Sequence, residues 1–260
     1  MRIEIINPTT TEAFAAKNLA AARRVAAPGT EIVSASVKSG PASIESHYDE
    51  AVSTIGILEE IHRGESTGID GYVIACFGDP GYLAAREIAK GPVIGIAEAA
   101  FHLASIIATR FSVVTTLART KIICEHLLLV HGFAHQCRRV RASGLEVLAL
   151  EETGTDACGD IVEECRRAVA EDEIGAIVLG CAGMADLADH IQAAVGVPVI
   201  EGVSAATKLV EGIVALRLGT SKVGDLAYPL PKPLSGSVKH LEIAARRGAN
   251  APPAHKERKT

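Results

Sequence analysis

Cys76 and Cys181 occupy the same point in two similar stretches of the chain. Tyr72-Val73-Ile74-Ala75-Cys76-Phe77-Gly78-Asp79 and Ala176-Ile177-Val178-Leu179-Gly180-Cys181-Ala182-Gly183-Met184 are each an apolar, β-branched run that stops at cysteine and turns through glycine. A short helical stretch then leads to a second strand signal, Gly91-Pro92-Val93-Ile94-Gly95 after the first and Val197-Pro198-Val199-Ile200-Glu201 after the second. Cys76 stands 16 residues before Pro92, and Cys181 stands 17 before Pro198. A duplicated strand–cysteine–turn–helix unit places one thiol at a strand end in each half. Two halves that face each other put both thiols on one cleft. That is the geometry for taking a proton from one face of a carbon and returning one to the other.

The elements that carry these residues alternate along the chain. Ile3-Glu4-Ile5-Ile6 reads as a strand ended by Asn7-Pro8, and Thr9-Thr10-Thr11 offers hydroxyl caps for an Ala-rich helix to about Ala27. A strand over Glu31–Val37 and a helix from about Ser46 to Arg63 follow, then strands at Gly71–Ala75 and Val93–Ile96. The pattern restarts at Arg110–Thr116, with a helix over Arg119–Val130, a strand signal at Leu145–Leu150 and a helix near Cys158–Asp172. The Cys181 strand, Val197–Ile200 and a closing helix over Val203–Leu218 complete it. Alternating β and α units imply parallel sheets covered on both faces. The fold class expected is therefore α/β, with two similar doubly wound lobes related by a pseudo-two-fold axis and facing a central cleft. Lobe 1 is assigned residues 1–105 with 204–235, because the closing helix can pack back on it, and lobe 2 residues 106–203. Residues 236–260 are expected to form a flexible extension, polar and non-periodic from about Arg246 onward.

The composition excludes several functions. Of 260 residues, 48% are hydrophobic, enough for an aliphatic core, while aromatics are only 3% and Trp is absent. A net charge of −5 gives no footprint for nucleic acid or an anionic membrane. The N-terminus enters a strand directly, and no apolar run reaches the roughly 18–20 residues of a membrane helix. A cytoplasmic protein is expected. The six cysteines form no CxxC pair, so zinc and redox motifs are not indicated.

In parallel sheets, ligands bind beyond the carboxyl ends of the strands. Asn7 with Thr9 to Thr11, Cys76, Thr115-Thr116 and Cys181 all fall on that edge, each ahead of a helix with free N–H groups. Such helix ends favour anions and lower a thiol pKa, so either thiol is expected to reach the thiolate at neutral pH. Gly78 and Gly183 let the backbone approach a ligand. A single cysteine after a strand is most often a small buried hydrophobe, and that reading suits Cys124, Cys137, Cys158 and Cys165, which have no counterpart in the other half. Packing does not explain the same residue at the same point of both repeats. Thr115-Thr116 and Asn7-Pro8 could serve only as cap and turn; their convergence on one sheet edge favours contact with substrate. Asp79 could meet the Cys76 thiol or cap its own helix, of which the cap is favoured, and Glu201 has only a weak claim to the cleft. His47, His102, His126 and His131 lack metal spacing. No dinucleotide fingerprint, phosphate loop or GxSxG elbow is present.

Taken together, Ile6-Asn7-Pro8, Ser43-Ile44-Glu45, Val73–Gly81, Arg110–Leu117 and Ile177–Met184 resemble the hydantoin racemase branch, which includes allantoin racemases, of the aspartate/glutamate/hydantoin racemase superfamily. The likeness runs from Met1 to about Pro231. The family usually follows Asn-Pro with a second Asn, where this chain has Thr9. The resemblance implies racemisation without metal or other cofactor, by two bases: Cys76 and Cys181 act on opposite faces of C5 of a cyclic ureide. It implies substrate contacts from Asn7, Ile44, Phe77, Gly78, Thr115, Thr116, Ala182 and Gly183, with backbone N–H groups around Phe77-Gly78 and Ala182-Gly183 on the ring carbonyls and Phe77 stacked on the ring or its 5-substituent. Racemases of amino-acid carboxylates typically place Asn-Thr and Thr-His after the two cysteines; Phe-Gly and Ala-Gly here suit a neutral ring. A superfamily enzyme acting on a small dicarboxylate and a non-catalytic ureide-binding protein stay open. A homo-oligomer is expected by analogy with the family.

Overall fold

Two four-stranded parallel sheets share one winding. The computed structural model describes residues 1–151 and 156–243. In it β1 (Arg2–Asn7), β2 (Glu31–Ser36), β3 (Gly71–Ile74) and β4 (Val93–Gly95) form a sheet in the order β2-β1-β3-β4. β5 (Phe111–Thr115), β6 (Cys137–Ala142), β7 (Ala176–Leu179) and β8 (Val199–Ile200) form the second in the order β6-β5-β7-β8, so every strand has a counterpart. The helices are α1 (Glu12–Val25), α2 (His47–Thr67), α3 (Tyr82–Ile88), α4 (Ile96–Ile107), α5 (Thr120–Val130), α6 (Ala157–Glu171), α7 (Ala188–Val195) and α8 (Gly202–Ala215). The α/β, doubly wound architecture expected from the sequence is the one observed.

Local chemistry explains the elements. Ile3, Ile5, Ile6, Val73 and Ile74 are fully buried, as a parallel sheet covered on both faces requires. At α2, the Ser46 hydroxyl accepts the Asp49 N–H (3.2 Å) and the chain leaves the helix through Gly68 at φ 78°. One apolar core runs through both sheets, from Ile5 of β1 through Phe101 of α4 to Val113 of β5, Val178 of β7 and Val210 of α8. Each such side chain contributes about 1.5–3 kcal/mol by leaving water. Separate clusters lie behind the first sheet, under α2, and behind the second, under α6 and α7. From β8, helix α8 returns to pack on α1, α4 and β3, while α4 packs on β7. The carboxyl ends of the two sheets are therefore fixed relative to each other by helices that touch both.

Three expectations are corrected. Leu145–Leu150 is not a strand; it is irregular and ends in a 3-10 turn at Leu148–Glu151, and the edge strand is β6. The sequence of β6, Cys-Arg-Arg-Val-Arg-Ala, carries charges because Arg141 is buried against Glu164, Glu171 and Asp172. Helix α2 runs one turn past Arg63. The extension begins in order: Gly236–Leu241 forms a 3-10 segment on α2, with His240 Nε2 2.6 Å from Glu59 Oε1. The stretch from Arg246 lies outside the described residues. Among these, no helix is long and apolar enough to cross a membrane.

Candidate active site

Each cysteine lies two residues past the end of the corresponding strand, β3 or β7. The residue before it still holds the ladder: Ala75 N–H donates to Ile6 O (2.9 Å) and Gly180 N–H to Val114 O (2.8 Å). The chain then turns so that each thiol accepts the N–H two residues on, from Gly78 at Cys76 and from Gly183 at Cys181. Both thiols open on one cavity of about 650 Å³, counting the space that is continuous with solvent. Asn7, Ile44, Phe77, Gly78, Thr115, Thr116, Ala182 and Gly183 line the same cavity. The residues singled out in the sequence thus share one space.

Their tasks differ. The Asn7 amide is consumed by its own loop: Nδ2 donates to Thr9 O (3.1 Å), Thr11 O (3.0 Å) and Ser36 Oγ (3.2 Å), and Oδ1 accepts from Thr9 N and Thr9 Oγ1. It shapes the turn from β1 into α1. Thr115 Oγ1 donates to Gly180 O (3.1 Å) and ties β5 to the Cys181 turn. Thr116, the next residue, also lines the cavity. Phe77 lines the cavity and packs against Phe101 with the two rings nearly perpendicular, centroids 5.6 Å apart. A Cβ at Gly78 would run into Glu50 Oε1, which explains glycine there.

Neither thiol is shifted toward the thiolate, against the sequence expectation. Burial pushes Cys181 up to about 11 despite the Gly183 N–H and the nearby Lys17. Burial also raises Cys76, and the neighbouring Glu50 and Cys181 add to that rise against the Gly78 N–H. One N–H per sulfur does not offset the loss of water. Carboxylates act on both thiols, Glu50 and Asp79 on Cys76 and Glu45 and Glu151 on Cys181, and at Cys181 Lys17 works against them.

Asp79 and Glu201 both serve as helix caps. Asp79 caps α4 rather than its own helix, accepting from Ala97 N (3.0 Å) and Glu98 N (2.9 Å) with its backbone at φ 45°. Glu201 accepts from Val203 N and Ser204 N at the start of α8. Among the described residues no three of His, Cys, Asp and Glu are grouped as metal ligands.

Cavity residues missed in the sequence come from helices and a loop. Phe14 and Asn18 lie one turn apart on α1, Glu50 in the first turn of α2, Cys124 on α5, and Val147 on the irregular stretch after β6. An asparagine inside an Ala-rich helix was the legible signal for Asn18. Val147 N–H donates to Glu45 Oε1 (2.8 Å), which ties that stretch to the loop carrying Ile44.

Two α/β lobes of one topology, each ending a matching strand in a thiol that faces a shared cavity, define a class of paired-cysteine enzyme folds. The chain belongs to the Asp/Glu/Hydantoin racemase family, whose model matches residues 3–210. It is 49% identical over 236 residues to a hydantoin racemase of Rhizobium meliloti, covering 91% of this chain and 98% of that one. Among solved structures it is similar to an allantoin racemase from Klebsiella pneumoniae, with a TM-score of 0.92, 56% identity and coverage of 93% and 99%. The allantoin racemase from Pseudomonas fluorescens superposes with a TM-score of 0.87 at 38% identity, covering 91% of this chain and all of that one.

Proposed function

We propose that the protein is a racemase of cyclic ureides, hydantoins substituted at C5 or allantoin, working by proton transfer between Cys76 and Cys181. The observation that carries this is the matched pair of thiols on one cavity, each holding an N–H from the second residue on. The full-length likeness to hydantoin and allantoin racemases supports it. In the forward direction one thiolate takes the C5 proton and becomes a thiol. The C–H electron pair moves into the C4 carbonyl as an enolate, and the opposite thiol delivers its proton to the other face and becomes the thiolate. The reverse reaction exchanges the roles. The Gly78 and Gly183 N–H groups act on sulfur. The preceding N–H groups, of Phe77 and Ala182, have no backbone acceptor and are available to the carbonyl oxygens, as an oxyanion site requires.

The cavity lining favours a neutral ring over a dicarboxylate. It contains no Arg, Lys or His among the described residues, and its one charged side chain is Glu50. Lys17 is engaged by Glu151 Oε1 (2.6 Å) and Gly183 O (3.1 Å). An amino dicarboxylate would meet repulsion without a counter-ion.

Polarimetry on single enantiomers in D₂O, with deuterium incorporation at C5, tests the reading. Cys76→Ala and Cys181→Ala are each expected to lower racemisation by about 10²–10⁴-fold, the scale of a positioned acid or base. A variant lacking either thiol that racemises at the wild-type rate would sink the two-thiol mechanism.

A further inference from the structure

Asn18 is 1% exposed, near the middle of α1, and both its amide atoms are buried without a hydrogen-bond partner among the described residues. It lines the same cavity as the thiols, on the helix face that also carries Phe14 one turn earlier. Buried carboxamides are normally satisfied, and an orphaned donor and acceptor together require an explanation. The local sequence makes the choice more pointed: Ala15, Ala16, Ala20, Ala21 and Ala22 surround it in the helix, and asparagine is a poorer helix former than any of them. The fold does not use the amide, and its position leaves the cavity's occupant as the partner.

We propose that Asn18 is a specificity-determining residue that pairs its donor and acceptor with one –NH–CO– edge of the substrate. A carboxamide presents N–H and C=O side by side in one plane. Its complement must do the same, with N–H and C=O on the same side. An ordinary chain amide is trans and points them apart; a ring amide is locked cis, and a terminal urea also offers a syn N–H and C=O. The chemistry selected is thus a planar cis-amide edge, from the ureide ring itself or from a carbamoylamino tail such as allantoin carries. This rests on the racemase reading and adds to it the group that distinguishes rings from open-chain amides.

The test uses Asn18→Leu, close in shape and apolar, and Asn18→Ala in case leucine does not fold. With a 5-alkyl hydantoin, KM is expected to rise about 10- to 100-fold with kcat within about threefold, the signature of lost ground-state binding through one or two hydrogen bonds. The melting temperature of the ligand-free Leu variant is expected to equal or exceed that of the wild type, because no hydrogen bond to a described residue is lost. Mono-N-methylated hydantoins supply a second arm: the derivative that binds the wild type worse is expected to lose nothing further in the variant. An effect on both allantoin and the alkyl hydantoin assigns the ring edge, and an effect confined to allantoin assigns the tail. Unchanged KM in the variants, or a fall in melting temperature without a KM change, overturns the inference and leaves Asn18 a structural residue. A wild type that neither binds nor racemises hydantoins refutes the racemase reading instead, so the two failures are distinguishable.

Discussion

Asn7→Ala separates a loop-building residue from a substrate contact. The side chain is 1% exposed and makes five hydrogen bonds, three from Nδ2 at 3.0–3.2 Å and two to Oδ1 from Thr9. Truncation removes all of them and leaves buried backbone groups of Thr9 without partners. The amide shares two N–H donors among three acceptors; at about 1 kcal/mol for each N–H and for the bond that Oδ1 accepts from Thr9 Oγ1, the loss is roughly 3 kcal/mol. For a chain of this size that lowers the melting temperature by about 6–12 °C. Asn7→Asp offers no rescue, since it keeps the acceptor for Thr9 but turns a carboxylate toward the Thr9 and Thr11 carbonyls. Thermal unfolding followed by circular dichroism, beside KM and kcat, reads the outcome. A melting temperature within about 1 °C of wild type, together with a raised KM, would refute the reasoning and return Asn7 to the substrate.

Three further outcomes follow from the structure. Alkylation of Cys181 by iodoacetamide, followed on its peptide by mass spectrometry, should accelerate toward tenfold per pH unit from pH 7 to 9, because a thiol raised to about 11 gains thiolate throughout that range; a plateau below pH 8 contradicts it. The linked effect on stability has a definite sign: above about 8.5 the unfolded thiols lose protons that the folded ones keep, so stability falls as pH climbs from there toward 11. Arg141→Met should destabilise by roughly 3–5 kcal/mol, the cost of stranding a buried charge, since Arg141 Nε and Nη2 hold Asp172 at 2.7 and 2.6 Å. Burial alone would raise the Asp172 carboxyl, but the bonds from Arg141 and Ser112 outweigh it and keep it below its usual value. An unfolding midpoint equal to wild type would show the cluster to be dispensable.

What was legible in the sequence was what repeats. The two apolar runs ending in cysteine fixed the strand type, the shared edge and the pairing of the thiols, because a parallel strand buried on both faces writes a continuous aliphatic run. Strand β6 was missed for the opposite reason: an edge strand whose arginine is neutralised by Asp172 and Glu164 from another element looks like a solvated loop. Thiol acidity was misread because a helix start suggests a lowered pKa, whereas desolvation is set by the surrounding lobes and has no local signature. Asn18 and Glu50 reach the cavity through helix packing, which spacing along the chain does not encode.

The symmetry of the backbone and the asymmetry of the side chains have different consequences. In the two-thiol mechanism proposed above, matched N–H donors from Gly78 and Gly183 would let the two thiols exchange the roles of acid and base, as racemisation in both directions requires. Interchangeability alone would let both ionise or neither. Each thiolate raises the pKa of the other thiol, since their charges act across one cavity, and this favours one thiolate and one thiol over two thiolates. Burial raises both thiols; Glu50 and Asp79 add to the rise at Cys76, while at Cys181 Lys17 works against Glu45 and Glu151. On the two-thiol mechanism proposed above, Cys181 is the easier of the two to deprotonate, and the enantiomer whose C5 proton faces Cys181 would then react without a prior exchange of protons. Lys17→Met removes that bias, and the two enantiomers' initial rates should move closer to each other while both fall.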